Sequence, residues 1–163
     1  MKWIKVILPT IGVFFIQFFL VDFLSLNMIR PDFLVIYVFY ISLVYGKTPG
    51  VIIGFTLGVL SDLTGVGSLF GLAPLSLSIT AYLTGYLNGK YERLLPYIFH
   101  ATWVVIIAIH FLLISYVRFQ SVYESDIILF WTKWLMSFSY TMMFFLIVQF
   151  FFPVREASIA ENT

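Results

Sequence analysis

The chain has 163 residues, of which 61% are hydrophobic, 20% aromatic and only 10% charged, whereas soluble domains carry about a quarter charged residues. That balance excludes a water-soluble globular domain, and a formal net charge of +1 offers no basic face for nucleic acid. With no cysteine, disulfides, thiol nucleophiles and cysteine metal sites are excluded as well.

The apolar residues fall in long uncharged runs, and a membrane span needs about 20 of them, so six helices occupy about 120 residues and leave only short connections. The expected fold is an all-α, polytopic membrane helix bundle with six transmembrane helices, forming a single integral membrane domain over residues 1–163. Helix 1 covers about 6–24. Met1 to Lys5 resembles the start of a signal peptide, but no small-residue cleavage site follows, so the run is read as a span. Asn27-Met28-Ile29-Arg30-Pro31-Asp32 makes the first connection, because proline restricts the residue before it and lacks the N–H that continues a helix.

Helix 2 covers about 32–46, with Asp32 as a natural cap, and helix 3 about 49–64. Both are short, at about 21 Å against about 30 Å of hydrocarbon. Merging them into one re-entrant hairpin would place Lys47 near the midplane at a cost of about 2.5–3.5 kcal/mol. Two short spans with Lys47 at a surface are therefore expected. Helix 4 covers about 69–89 and helix 5 about 96–117; Arg118 to Asp126 is the longest loop, and helix 6 covers about 127–153. The polar tail beyond it is expected to fray.

Six spans with a cytoplasmic N-terminus put Lys2, Lys5, Lys47, Lys90, Arg93 and Arg155 inside and Arg30, Arg118 and Lys133 outside. Six against three satisfies the positive-inside rule, so both termini are expected in the cytoplasm of a cell-membrane protein. Trp3, Tyr45, Tyr91 and Tyr97 then mark the inner interface, and Tyr116, Tyr123, Trp131 and Trp134 the outer one.

Helix 3 carries the most informative spacing. Gly50, Gly54, Gly58 and Asp62 recur every four residues, so three glycines and a carboxylate share one face. Small residues at that spacing let a second backbone approach closely, either as a packing groove inside this bundle or as a docking face for another protein's helix. Helix 4 has a matching row of Ser76, Thr80, Thr84 and Asn88 beside Ala81, Gly85 and Gly89, so helices 3 and 4 are expected to pack together. Asp22, Arg30, Asp32 and Asp62 all map to the outer ends of helices 1 to 3. Such charges need compensation, which points to Arg30 pairing with Asp62 or Asp32 as a clasp, or to a ligand or partner contact.

Catalytic patterns fail one by one. His100 and His110 are ten residues apart on helix 5, hence on different faces, so a shared metal site is not expected and interhelical hydrogen bonding is, as it is for Gln17 and Gln149. Gly46-Lys47-Thr48 mimics the end of a P-loop, but the required earlier glycine falls on Ile41 and Pro49 follows. Val59-Leu60-Ser61-Asp62 lacks the Gly-x-Gly-Asp context of intramembrane aspartyl proteases, and neither a serine–histidine arrangement nor His-Glu-x-x-His is present. No active site, metal or cofactor is expected.

Arg30-Pro31-Asp32-Phe33, then Gly54-Phe55-Thr56-Leu57-Gly58-Val59-Leu60-Ser61-Asp62, then Gly65 and Gly71, resemble the rod shape-determining protein MreD family. Its members carry an Arg-Pro-Asp-like start to helix 2, a Gly-Phe-x-x-Gly-Leu-x-x-Asp-like block and glycines opening helix 4; here Val59 stands where leucine is usual. The motifs span about Arg30 to Gly89, and size and span number match over the whole chain. The resemblance implies a non-enzymatic scaffold subunit of the cell-elongation complex that binds the single-span MreC. With MreC it would link MreB filaments to peptidoglycan synthases, including the glycosyltransferase RodA. Arg30, Pro31, Asp32 and Asp62 are its candidate partner or ligand contacts, and Gly50, Gly54, Gly58, Gly71, Gly85 and Gly89 its packing positions. The family is also similar in architecture to substrate-capture subunits of energy-coupling-factor vitamin transporters, which supplies an alternative function in binding a small vitamin-like solute. Those subunits dock through an Ala-x-x-x-Ala-like patch on helix 1, where this chain has only Gly12 among bulky residues.

Overall fold

The computed structural model describes residues 4–25, 29–64 and 69–159. Lys2, Trp3, Asn27, Met28, Gly65 and the last four residues lie outside the described residues, as do the side chains of Lys5 and Asp22. Eight helices form among the described residues: α1 (Ile4–Phe23), α2 (Phe33–Tyr45), α3 (Lys47–Leu63), α4 (Leu72–Gly85), α5 (Pro96–Arg118), α6 (Gln120–Ser125), α7 (Ile127–Phe151) and α8 (Val154–Ile159). The architecture is an all-α bundle. Two helices, α5 and α7, are long and apolar enough to cross a bilayer, and the apolar stretches of α1, α2 and α4 are shorter.

The bundle is built around α2, whose Leu34, Val35, Ile36, Val38, Phe39, Ile41, Ser42 and Leu43 are all buried. A helix that is apolar around its whole circumference belongs in a core. Its start is fixed by three neighbours. The Asp32 Oδ1 accepts from the Val35 amide at 3.0 Å, the Gln17 Oε1 of α1 accepts from the Phe33 amide at 2.7 Å, and the Thr141 Oγ1 of α7 accepts from the Asp32 amide at 3.1 Å. These bonds satisfy amides that a helix start leaves without intrahelical acceptors.

One residue, Gly46, separates α2 from α3. Its φ of 84° lies in the left-handed region that a side chain disfavours. The turn is tighter than the expected break between helices ending at 46 and beginning at 49, because Pro49 falls within the first turn of α3, where a missing N–H costs nothing. The antiparallel partner α4 then lies against the glycine face of α3. A Cβ on Gly54 would meet the Leu77 carbonyl oxygen at 3.1 Å, one on Gly58 would collide with the backbone of Pro74, and one on Gly85 would reach the Lys47 Cα at 2.6 Å. Gly50 faces α2 instead, against the side chain of Ser42. The glycine face is thus covered by helices of the same chain.

Aromatic rings attach the long helices to this centre. Phe39, Trp103 and Phe145, from α2, α5 and α7, have centroids 4.8–5.9 Å apart, within the range where ring pairs attract beyond their buried area. The outer faces are apolar and uncovered, including Leu8, Phe15, Phe19 and Phe23 on α1 and Ile128, Leu146 and Phe150 on α7. Patches of that extent face lipid or another protein rather than water.

Two expectations for the ends are corrected. The long loop after Arg118 contains α6, and the tail expected to fray forms α8, with Val154 and Ser158 buried and the Ser158 carbonyl accepting from the Gly89 amide at 3.0 Å. Helix 4 is shorter than its apolar run, because it begins after Gly71, at φ 97°, and ends at Gly85. Gly71 has nothing within 4 Å of a built Cβ, so backbone conformation rather than packing accounts for its glycine. Gly89 sits in the turn beyond α4, where its N–H meets α8 rather than α3.

Candidate functional site

The beginnings of α2 and α4 and the ends of α3 and α5 meet at one end of the bundle around a cavity of about 80 Å³. Arg30, Pro31, Asp32 and Asp62, singled out from the sequence, all line it, together with Arg118 and the polar side chains of Gln17, Ser61, Ser76, Ser115 and Ser137. Residues from several helices and their connections therefore converge on a single polar chamber. Its volume accommodates several waters but falls well below the roughly 300–1,000 Å³ of a typical small-molecule pocket.

The chamber is held by polar contacts that the sequence does not pair. His110, 1% exposed, stands between three helices: its Nδ1 lies 2.9 Å from the Thr80 Oγ1 on α4, and its Nε2 lies 3.5 Å from the Asp32 Oδ2 at the start of α2. The second separation is an ion-pair distance without hydrogen-bond alignment. Asp62 is also buried, and its Oδ2 accepts from the Gly71 amide at 2.6 Å. The expected direct clasp of Asp62 to Arg30 is not formed, because this carboxylate closes the connection from α3 to α4. Its other oxygen, Oδ1, is buried without a hydrogen-bond partner, as is the His110 Nε2. An orphaned buried polar atom costs about 1–3 kcal/mol, so a donor brought to the Asp62 Oδ1, by water in the chamber or by a partner, is favoured.

Arg118 ends α5 at the rim, within electrostatic reach of the attractive Asp32 and the repulsive Arg30. The sequence puts Arg118 at the outer surface but does not point to this site. The available signal was periodicity, since Phe111, Ser115 and Arg118 recur on one face of α5 and all line the cavity. His100, by contrast, accepts from the indole Nε1 of Trp103 at 2.9 Å within α5, away from the chamber. Gln149, expected to bond between helices, keeps its Oε1 buried without a partner. Among the described residues, no three histidine, aspartate or glutamate side chains group as metal ligands. Two cations, two carboxylates and several hydroxyls suit the recognition of a polar group that both donates and accepts hydrogen bonds.

The cations divide between the two ends of the bundle. Arg30 and Arg118 border the chamber and the Lys133 ammonium lies over Phe119 at the same end. Lys47 and Lys90 gather around Tyr86, and Arg155 over Tyr91, at the other.

A family model, rod shape-determining protein MreD, matches residues 1–154, nearly the whole chain. No curated protein and no solved structure matches it significantly. Proteins of the matched family are non-catalytic, multi-pass membrane proteins of cell-shape maintenance.

Proposed function

We propose, from the premise that this chain belongs to the rod shape-determining protein MreD family, that it is the membrane scaffold of the cell-elongation complex. In this reading it binds MreC and links MreB filaments inside the cell to RodA-type peptidoglycan synthesis outside. Supporting the reading is the polar chamber, where Arg30, Asp32, Asp62 and Arg118 meet beside a buried carboxylate oxygen lacking a donor. A polar segment of a partner chain entering the rim would supply that donor and meet the Arg118 guanidinium. The volume of about 80 Å³ gives the vitamin-binding alternative no comparable support.

Arg118 offers the cleanest test because its side chain is exposed and its loss leaves the core intact. Arg118→Ala should reduce MreC recovered with the solubilised chain by about tenfold, the effect of one charge-assisted contact at a binding centre. Undiminished recovery, with melting temperature unchanged, would move the MreC contact elsewhere.

The charge separation supports an orientation in which all six of α1 to α5 and α7 cross and the chamber lies on the outer side. Because the chain has no cysteine, single-cysteine variants report topology without background. Glu124→Cys in α6 should react with a membrane-impermeant maleimide in intact cells, while Lys90→Cys and Arg93→Cys should react only after lysis. The reverse pattern would invert the protein.

A further inference from the structure

At the end of the bundle away from the chamber, two lysines converge on one tyrosine. The Lys47 ammonium stands 3.0 Å over the centre of the Tyr86 ring and 5.5 Å from that of Tyr82, and the Lys90 ammonium lies 5.6 Å from the Tyr86 centre. A ring face attracts an ammonium without neutralising it. Among the described residues, no carboxylate lies within 4.0 Å of either lysine. The phenol oxygens of Tyr82 and Tyr86 are 2.7 Å apart. One hydroxyl proton is shared between them, and the second is left for an acceptor outside the pair. Two positive charges and a spare O–H therefore gather around the same pair of rings, and an oxyanion carrying several acceptor oxygens can satisfy all three.

The surroundings decide which oxyanion. Tyr82 and Tyr86 are both exposed, and Leu75, seven residues before Tyr82 on the same face of α4, is exposed too. On the adjoining α3, Ile52 and Phe55 are exposed. An uncovered apolar face thus runs from the lysine–tyrosine cluster along α3 and α4 towards the opposite end. A free phosphate has no use for such a face, whereas the acyl chains of a lipid lie along it. We propose that Lys47, Lys90, Tyr82 and Tyr86 form a headgroup site for an anionic phospholipid. Its phosphodiester sits between the two ammonium groups and accepts from the free phenol, and its chains cover Leu75, Ile52 and Phe55.

The test uses the full chain purified in detergent and offered equal amounts of phosphatidylglycerol and phosphatidylethanolamine, with bound lipid counted by native mass spectrometry. The chain should retain phosphatidylglycerol in preference by at least about fivefold, the effect of one lysine near an anionic headgroup. The Lys47→Gln/Lys90→Gln variant should bring the two lipids to parity. Lys90→Gln alone removes no core contact and should lower the preference part way at an unchanged melting temperature, so it carries the test even where the double variant fails to fold. Parity in the unmodified chain, or an undiminished preference in Lys90→Gln, would overturn the proposal. Stabilisation by millimolar inorganic phosphate equal to that by phosphatidylglycerol would overturn it too, by making the cluster a free-anion site.

Discussion

Gly58→Leu is expected to cause a larger loss of stability than any other substitution proposed for this chain. A Cβ on Gly58 would enter the space of the Pro74 backbone and of the Ala73 carbonyl carbon. A flexible side chain could rotate away, but a backbone inside a helix cannot. Relief requires α3 and α4 to separate, which also draws Gly54 from Leu77 and Gly85 from Lys47. In lipid, helix association depends on close packing rather than on expulsion of water, so the separation is not offset. The expected cost is about 3 kcal/mol or more, at the upper end of what overpacking causes. Even Gly58→Ala should lower the melting temperature clearly. Gly12→Ala is the matched control, since nothing lies within 4 Å of a Cβ there, and it should be neutral or stabilise by up to about 1 kcal/mol through helix propensity. Equal melting temperatures for Gly58→Ala and Gly12→Ala would refute the close approach of α3 and α4.

The second large effect is expected at His110. This imidazole joins α5 to Thr80 on α4 and to Asp32 at the start of α2, and it is almost wholly buried. His110→Ala would leave a cavity, strip Thr80 of its side-chain partner and leave the Asp32 Oδ2 without its ion-pair neighbour. Cavity formation and lost polar contacts together suggest a cost of about 3 kcal/mol. Asp32→Ala removes the same pair and also the cap on the Val35 amide, worth about 1 kcal/mol. The double variant should therefore be more stable than the two single losses imply, with a coupling of about 1 kcal/mol or more. Thermal unfolding of the four proteins in one detergent measures this, and strictly additive losses would show that Asp32 and His110 do not act as a pair.

The sequence made some of this visible and hid the rest for definite reasons. Asp32 as the cap of α2 could be read because a cap acts on an amide three residues away. The glycine face of α3 could be read because four-residue spacing is a property of one helix, and the small residues of α4 identified its neighbour. The convergence of Arg30, Asp32 and Asp62 at one end followed from counting helices. What remained hidden depends on tertiary register. His110 looks like any polar residue in an apolar run until α2 and α4 are in place beside it, 78 and 30 positions away. Asp62 looked like a partner for arginine because its binding to the Gly71 amide depends on how the chain returns from α3 to α4. The seat of α8 likewise depends on contacts across the fold, with Val154 buried in the core and the Ser158 carbonyl meeting the Gly89 amide, whereas its own six residues, mostly polar or small, show only a tail.

The unequal helix lengths have a mechanical consequence for the surrounding bilayer. At 1.5 Å per residue, the 14 residues of α4 span about 21 Å and the 25 of α7 about 38 Å. Both present apolar side chains outward, among them Leu75 and Tyr82 on α4 and Leu135 and Leu146 on α7. On the proposed six-span reading, hydrocarbon about 30 Å thick cannot match both flanks, so it would compress beside α3 and α4 while α7 tilts or sits in undisturbed lipid. The elastic cost grows with each ångström of mismatch, and it falls when two compressed zones merge. The protein should therefore be drawn, before any specific contact, towards thin membrane and towards other proteins with a similarly short flank. Its partners would then meet it preferentially from the α3–α4 side.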